Sequence, residues 1–483
     1  MGMWLMSMGL GASAAVPCAT QARLAEAPPL RRPAPSASPP ADRALRDPFG
    51  VPNVATSEHF AVWSGNFGGV TDAEVEALLA AFELAWDVQI EALAHPAPPT
   101  TDQFRFNVYV GDTANYAPDG YGAAGYYTVD PEGYPMVVVA AATLNDAAFA
   151  EHTALHEFYH AVQDGLDRYS FDEQGPAAWF FEATAEWAAV ESAPDNPHNG
   201  PFVFAYLLLP ELALTTFDFA DSGQLVEYYA YGAFLFPHDV GRRFGPAVIR
   251  DVWTDPGDDP DPLEVLRTGL AAEGADLDEV WLDHLAHNAA YDYDAGELYR
   301  ANVAQWASAY PDAAEIAATA TGSGAAGRVS GGEAPQRYGA VTFALHDADA
   351  GTLSVRVAGD GRGTRGSPAR YGARVVRLHD GLPEYVSVPF DGVDGALDVP
   401  DVVEGETVLL TIGAWTPAWQ ASRWDTERFP LDWALEVQPE PGPSGRPEPT
   451  PAGCGCGGGG AVGAHAPIVI AAIGLVRRRR RWR

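Results

Sequence analysis

Lysine is absent from this chain of 483 residues: all 29 of its basic side chains are arginine. That excludes a Schiff-base lysine, a P-loop lysine and a lysine general base. Cysteine is scarce too. The three present, Cys18, Cys454 and Cys456, lie in the terminal segments, so residues 19–453 can form neither a disulfide nor a thiolate metal site. A metal held by the body is therefore expected to use His, Asp or Glu. No G-x-S-x-G or P-loop occurs, and no G-x-G-x-x-G stands between a strand pattern and a helix as a Rossmann fingerprint requires, which removes the nucleophile-elbow hydrolases and the common nucleotide folds. Positive charge is in short supply as well, with 29 basic against 65 acidic residues and a formal net charge of -36. Six of the arginines crowd into Arg477–Arg483, so the rest is more acidic still. A nucleic-acid partner is excluded on charge.

What is present begins with an ample core: 47% of residues are hydrophobic and 11% aromatic. The ends read differently from the body. Residues 4–16 form an apolar run followed by small residues, which predicts a secretory signal over residues 1–22. A Pro/Ala/Arg-rich linker follows over residues 23–55, and a second, Pro-rich linker covers residues 438–453. The tail, residues 454–483, holds Cys454-Gly455-Cys456, four glycines, an apolar stretch Ala461–Val476 and the arginine cluster. That stretch is shorter than the roughly 20 residues a bilayer span needs. The ending resembles the myxobacterial-type C-terminal sorting tails of surface-displayed proteins, in which a cysteine before the apolar run is the processing point. The resemblance implies a tail that contacts a membrane or sorting machinery, and an exported protein at the cell surface, in the outer envelope or outside the cell. A plain weak membrane anchor gives the same location.

Within the body, strand-like runs at residues 57–63 and 104–110 flank an amphipathic helix predicted from Asp72 to Leu93, with Thr71 as its N-cap. Two further strands are expected near Gly125–Val129 and Pro135–Ala141. From Asn145 the pattern is helical for most of the next 170 residues or so. Strands first and helices after describe an α+β domain over residues 56–325. Residues 336–437 change again, to short alternating runs broken by Gly, Asp and Pro, which predicts an all-β sandwich.

The chemistry concentrates in His156-Glu157-Phe158-Tyr159-His160, on a helix expected from Asn145 to Gly165. Histidines at i and i+4 project from one helix face, so both imidazoles can reach one Zn2+. Glu157, on the neighbouring flank, can take a proton from water at the metal. Catalytic zinc needs a third protein ligand, and the next predicted helix carries Trp179-Phe180-Phe181-Glu182-Ala183-Thr184-Ala185-Glu186-Trp187. Glu182 is the favoured ligand and Glu186, one turn on, the acceptor that fixes a ligating histidine; the exchanged assignment is the alternative.

These two motifs resemble the HExxH and W-x-x-E-G-x-A-E-[YW] patterns of the gluzincin clan of metallopeptidases, with Ala183 where glycine is usual. The resemblance extends over roughly Ser57–Phe244. It implies a zincin-like catalytic domain, a peptide or protein substrate, and a sheet edge to which extended substrate adds, for which Pro135–Ala141 is the matching candidate. It also implies an oxyanion donor. Tyr229-Ala230-Tyr231-Gly232-Ala233 resembles the helix start that supplies this tyrosine, and Tyr229 matches by position, with Tyr228 and Tyr231 close by and core packing of the three rings as the alternative. Arg242 and Arg243 are the nearest cations for a substrate carboxylate, a solvated helix end being the better reading. His284 and His287 read as a satisfied structural pair, and Asp255–Asp261 as a solvated turn.

The expectation is therefore a monomeric zinc metallopeptidase, exported or surface-attached, with His156, His160 and Glu182 on zinc, Glu157 and Tyr229 catalytic, and Glu186 in support. A catalytically silent zinc-containing surface binding protein and a non-peptidase zinc hydrolase are the alternatives.

Overall fold

The computed structural model describes residues 16–32, 43–170, 175–218, 224–311, 313–379, 382–417, 420 and 426–439. The chain divides at Glu440 into two units. The second, Pro441–Arg483, lies outside the described residues, as do residues 1–15; the expected sorting tail and the apolar core of the expected leader fall there.

The first unit is α+β with a β-rich C-terminal region. It opens with β1 (Val16–Cys18) and the short α1 (Thr20–Leu24), which pack into the body although the sequence places residues 16–22 in a leader. Then come β2 (Asn53–Thr56), β3 (Phe60–Ser64), α2 (Asp72–Ala85), β4 (Phe106–Gly111), β5 (Ala123–Val129) and β6 (Pro135–Ala140). The strands form one sheet in the order β1-β5-β6-β4-β3-β2. β3, β4 and β6 run parallel to one another, β5 is antiparallel to β6, and β1 is parallel to β5. Every residue of β4, β5 and β6 is buried, which is why these strands read as apolar runs without alternation. The expected substrate edge, Pro135–Ala141, needs correction: β6 is paired on both sides, and β5 is the strand whose outer edge faces β1.

Thr71 and Glu74 close a capping box at the start of α2. The helix then widens into a π-helical stretch, Trp86–Ala92, instead of running on as α. Gln89 in that stretch is fully buried and donates to the Leu155 carbonyl, 2.8 Å away. The next helices are α3 (Ala147–Leu166), α4 (Ala178–Ser192), α5 (Val203–Leu208), α6 (Tyr229–Gly232), α7 (Leu235–Phe244), α8 (Ala247–Thr254), α9 (Pro262–Ala272), α10 (Leu277–Ala290) and α11 (Gly296–Ala307). Asp146, not the expected Asn145, caps α3, its carboxylate accepting from the Ala148 and Phe149 amides. α3 docks on the sheet through Phe158, whose ring meets Phe60 and Phe106 at centroid distances of 5.2 and 5.4 Å. α4 is buried on all sides, as its nearly uninterrupted apolar sequence requires. Among the described residues no helix is long and apolar enough to cross a membrane.

The β-rich region has two five-stranded sheets. Its strands are β7 (Ala318–Gly322), β8 (Gly324–Val329), β9 (Gly339–Ala348), β10 (Gly351–Gly359), β11 (Arg370–His379), β12 (Leu382–Val388), β13 (Phe390–Asp391), β14 (Asp394–Val402), β15 (Glu406–Trp415) and β16 (Leu431–Gln438). The sheets run β13-β14-β10-β16-β8 and β12-β11-β15-β9-β7, and share one apolar core in which Phe343 stacks on Trp433 at 3.9 Å. β7 and β8 lie N-terminal to residue 336, where the sandwich was expected to begin. α10 lies against β11 and β15: Gly413 leaves no room for a side chain, since a Cβ there would sit 2.2 Å from the Trp281 ring. Arg374 of β11 holds Asp283 and Glu279 of α10 at 2.8 and 2.7 Å.

The weaker sequence signals resolve inside this frame. His284 and His287 share Asp239, at 3.7 and 3.1 Å, and so form a structural cluster. Arg242 pairs with Asp239 and Arg243 with Asp283.

Candidate metal centre

α3 and α4 face each other so that His156, His160, Glu182 and Glu186 all point into one buried space, each no more than 4% exposed. His156 Nε2 and His160 Nε2 are 3.1 Å apart. Glu182 Oε2 lies 3.2 Å from the first and 3.5 Å from the second. A fourth donor joins from far away in sequence: Cys18 Sγ stands 3.6 Å from His160 Nε2. The four donor atoms lie within 4.8 Å of one another. Ligand bonds of about 2.0–2.3 Å at tetrahedral angles place donors about 3.3–3.6 Å apart, so the two histidines and Glu182 are spaced much as donors to one metal ion would be. Glu182 Oε2, fully buried, has no hydrogen-bond donor, which a cation between the ligands would remedy.

The outward nitrogens of the two imidazoles differ in their surroundings. His160 Nδ1 is 2.7 Å from Gln163 Oε1, and Gln163 Nε2 donates to the Phe181 carbonyl and Thr184 Oγ1. Gln163 thus cannot easily turn its amide around, and its oxygen takes the proton on Nδ1, leaving Nε2 free as a ligand atom. Glu186 Oε1 lies 3.1 Å from His156 Nδ1, at an angle poor for a hydrogen bond, while its Oε2 lies 3.1 Å from His152 Nε2. Asn199 Oδ1 stands 3.3 Å from His152 Nδ1. His152, one turn ahead of His156, is a third histidine on the same face.

The electrostatics follow from this crowding. Burial works against charging His156, but Cys18, Glu182 and Glu186 outweigh it and hold the imidazole well above the ordinary histidine value. His160 is raised to about 10, with burial opposing and Glu182 and Cys18 driving the shift. Glu182 and Glu186 go the other way: burial would raise them, yet the facing histidines hold both well below the usual carboxylate range. Burial, then Glu157 and Glu182, push the Cys18 thiol up. A carboxylate, a thiol that would ionise on ligation and two imidazoles so arranged are a donor set that could hold a divalent cation.

Glu157 sits beside the cluster, against β5. Its Oε2 accepts from Thr20 Oγ1 at 2.8 Å and from the Tyr127 amide of β5 at 3.0 Å, with Cys18 Sγ at 3.5 Å. Gly125 makes this approach of α3 to β5 possible: a Cβ there would lie 2.7 Å from Thr153 Cγ2 and 3.2 Å from Glu157 Cγ.

Of the residues expected from sequence, the fold brings together His156, Glu157, His160, Glu182 and Glu186. Glu182 is the carboxylate among the donors, and Glu186 lies behind His156. Tyr229 is elsewhere: its hydroxyl donates to the Leu212 carbonyl and its ring packs on Tyr206. Tyr231 is the tyrosine at the site, its ring stacked on His156 at 5.9 Å. Burial, then Glu182, Cys18, Glu157 and Glu186, raise its hydroxyl pKa. The two tyrosines are one helical step of two residues apart and so face different sides of α6. The expectation that the body offers only His, Asp and Glu also needs correction, because Cys18 reaches the cluster on β1. Cys18 was noted from sequence only as a cysteine of the terminal segment and Tyr231 only as a neighbour of Tyr229, while Thr20, Gln21, His152 and Gln163 were not singled out. His152 and Gln163 could have been, from their helical spacing to the two motif histidines.

No curated protein matches the chain. Among solved structures, the pre-peptidase C-terminal domain of a Bacillus anthracis collagenase is similar over 25% of this chain and 96% of its own, at 13% identity and a TM-score of 0.17. A family GH115 4-O-methyl-alpha-glucuronidase is similar over 62% of this chain and 40% of its own, at 9% identity and a TM-score of 0.14. Scores of this size fix neither fold nor function. A family model described as "Family of unknown function (DUF6055)" matches residues 48–405, well over half the chain, and the chain belongs to that family.

Proposed function

We propose that this protein is a zinc metallopeptidase with a zincin-like catalytic domain, exported or held at the cell surface. The observation that carries the reading is the pairing of His156, His160 and Glu182 at zinc-site spacings with Glu157 against the same space. His156, His160 and Glu182 would hold the metal. Bound there, zinc would polarise a peptide carbonyl and make water a better nucleophile. Glu157 is the group to take the proton from the attacking water and return it to the leaving amine. Its tether to the Tyr127 amide aims the carboxylate along β5, where an extended peptide would pair its backbone with the sheet. Tyr231, with its hydroxyl kept protonated by burial, is the candidate donor to the developing oxyanion. Gln163 orients the His160 imidazole by its hydrogen bond, and the Glu186 carboxylate stands 3.1 Å from His156 Nδ1.

Because Cys18 fills a fourth corner in this structure, the test is made on the full chain carrying Cys18→Ala, with and without Glu157→Gln. One zinc per chain is expected in both, with hydrolysis of an unfolded protein falling about 10²–10⁴-fold on Glu157→Gln. Equal hydrolysis in the two would sink the enzyme reading and leave a surface binding protein. Turnover of esters but of no peptide would identify a non-peptidase hydrolase.

A further inference from the structure

The N-terminal segment meets the site part for part. Cys18 closes the donor cluster, Thr20 Oγ1 donates to the oxygen of Glu157 that would accept a proton, and Gln21 Nε2 donates to Glu182 Oε1 at 3.1 Å. From this we infer that Val16–Leu24 is an intramolecular stopper in which Cys18 is the fourth metal ligand, so that the chain as folded is a latent enzyme until the segment is withdrawn. The inference rests on the metallopeptidase reading of the same site.

Coordination number gives the segment its effect. A catalytic zinc site keeps three protein donors and one open corner for water, whereas four protein donors make a closed site. Cys18 supplies the fourth donor, giving up its thiol proton on ligation. The Thr20 amide donates to Sγ at 3.4 Å and holds the sulfur in place. The segment is also seated and not merely nearby. Cys18, Ala19, Thr20 and Gln21 are 2, 6, 1 and 8% exposed, and the Ala19 amide donates to the Gly125 carbonyl at 3.2 Å. Val16 and Cys18 pair with Ala123 and Gly125, so the backbone groups an extended substrate would use are already taken. Arg23 lies over the rings of Tyr121 and Tyr126 at 5.0 and 5.3 Å and anchors the far end.

Residues 16–22 fall in the stretch that composition assigns to a leader. The small-residue run Gly11–Ala15 just before Val16 offers a cleavage point that leaves Cys18 in the mature chain.

The experiment uses the full chain with Cys454→Ser and Cys456→Ser, so that Cys18 is the one remaining thiol, and cobalt(II) in place of zinc. A thiolate-to-cobalt charge-transfer band is expected, and its loss on Cys18→Ala at unchanged metal stoichiometry. Alkylation of Cys18 should be at least about tenfold slower in the metal-loaded protein than in the metal-stripped one, and Cys18→Ala should raise hydrolysis by about tenfold or more. One bound metal without the sulfur band, and with Cys18 alkylated at the same rate in both forms, overturns the inference and leaves the metallopeptidase reading standing. A band with no gain in hydrolysis overturns the latency. A chain that binds no metal removes both readings. Mass spectrometry of the exported protein supplies a check independent of metal: a mature chain beginning at Arg23 would refute the stopper, and one retaining Cys18 is expected.

Discussion

Gln163 is the residue whose replacement tests the centre most sharply, because it touches a ligand without being one. Its side-chain oxygen lies 2.7 Å from His160 Nδ1, and its amide nitrogen holds the Phe181 carbonyl at 2.9 Å and Thr184 Oγ1 at 3.0 Å. Leucine at 163 keeps most of the volume but leaves the imidazole N–H without an acceptor. His160 can then put its proton on either nitrogen, and the tautomer with a bare Nε2 is no longer selected. Loss of such an outer partner weakens metal binding about 10–100-fold, or about 1.4–2.7 kcal/mol. Competition against a chelator of known affinity reads this directly. The metal-free variant should also lose about 1–3 kcal/mol of folding stability, from the stranded N–H and carbonyl groups. Denaturant titration of the metal-stripped protein separates that loss from the metal effect. A Gln163→Leu chain that binds zinc as tightly as wild type would refute the claim that Gln163 sets the ligand tautomer, whatever its stability.

Two predictions concern the scaffold. Gly125→Ala forces a Cβ to within 2.7 Å of Thr153 Cγ2 and should cost about 1–3 kcal/mol, read as a lower Tm; an unchanged Tm would mean α3 does not press on β5 as described. His95, packed beside Tyr159 with its hydroxyl 3.0 Å from Nε2, has its pKa lowered to about 3, by burial first and then by Arg250. In the unfolded chain the imidazole titrates near the ordinary histidine value of 6.5, so between these two values the unfolded state binds the extra proton. The stability His95 supports is complete above pH 6.5 and lost as pH falls towards about 3, on the order of a few kcal/mol. His95→Gln should flatten that part of the stability–pH curve, and a curve parallel to wild type would contradict the assignment.

How far the sequence reached depended on whether the signal was local. The HExxH spacing, the Thr71 N-cap and the one-turn spacing of Glu182 and Glu186 are helical regularities, and each is readable within one or two turns. The order of strands is not. β5 and β6 are both short and wholly buried, so neither shows the alternation that would mark an edge, and the edge was expected on a strand that is paired on both sides. β7 and β8, ATATG and GAAGRV, are runs of small residues that precede the expected start of the sandwich; they become strands because β9 and β16 offer them partners. Cys18 was hidden for a related reason. Its neighbours at the site lie 139 and 142 residues away, and nothing in its own surroundings distinguishes a leader from a strand.

The pairing of β1 with β5 bears on solubility as well as on catalysis. β5 reads AAGYYTV, seven residues with two aromatic rings and no charge, and its inner edge is already bonded to β6. Left bare on the outside, such a strand is a template on which a second chain can crystallise its own backbone, and short apolar segments of this kind seed aggregates. At the opposite margin β2, NVAT, is only four residues long and largely exposed, a blunt end that invites little. The three residues Val16–Cys18 thus act as a selvedge. A chain trimmed behind them would be expected to need a bound peptide, or dilution, to stay dispersed.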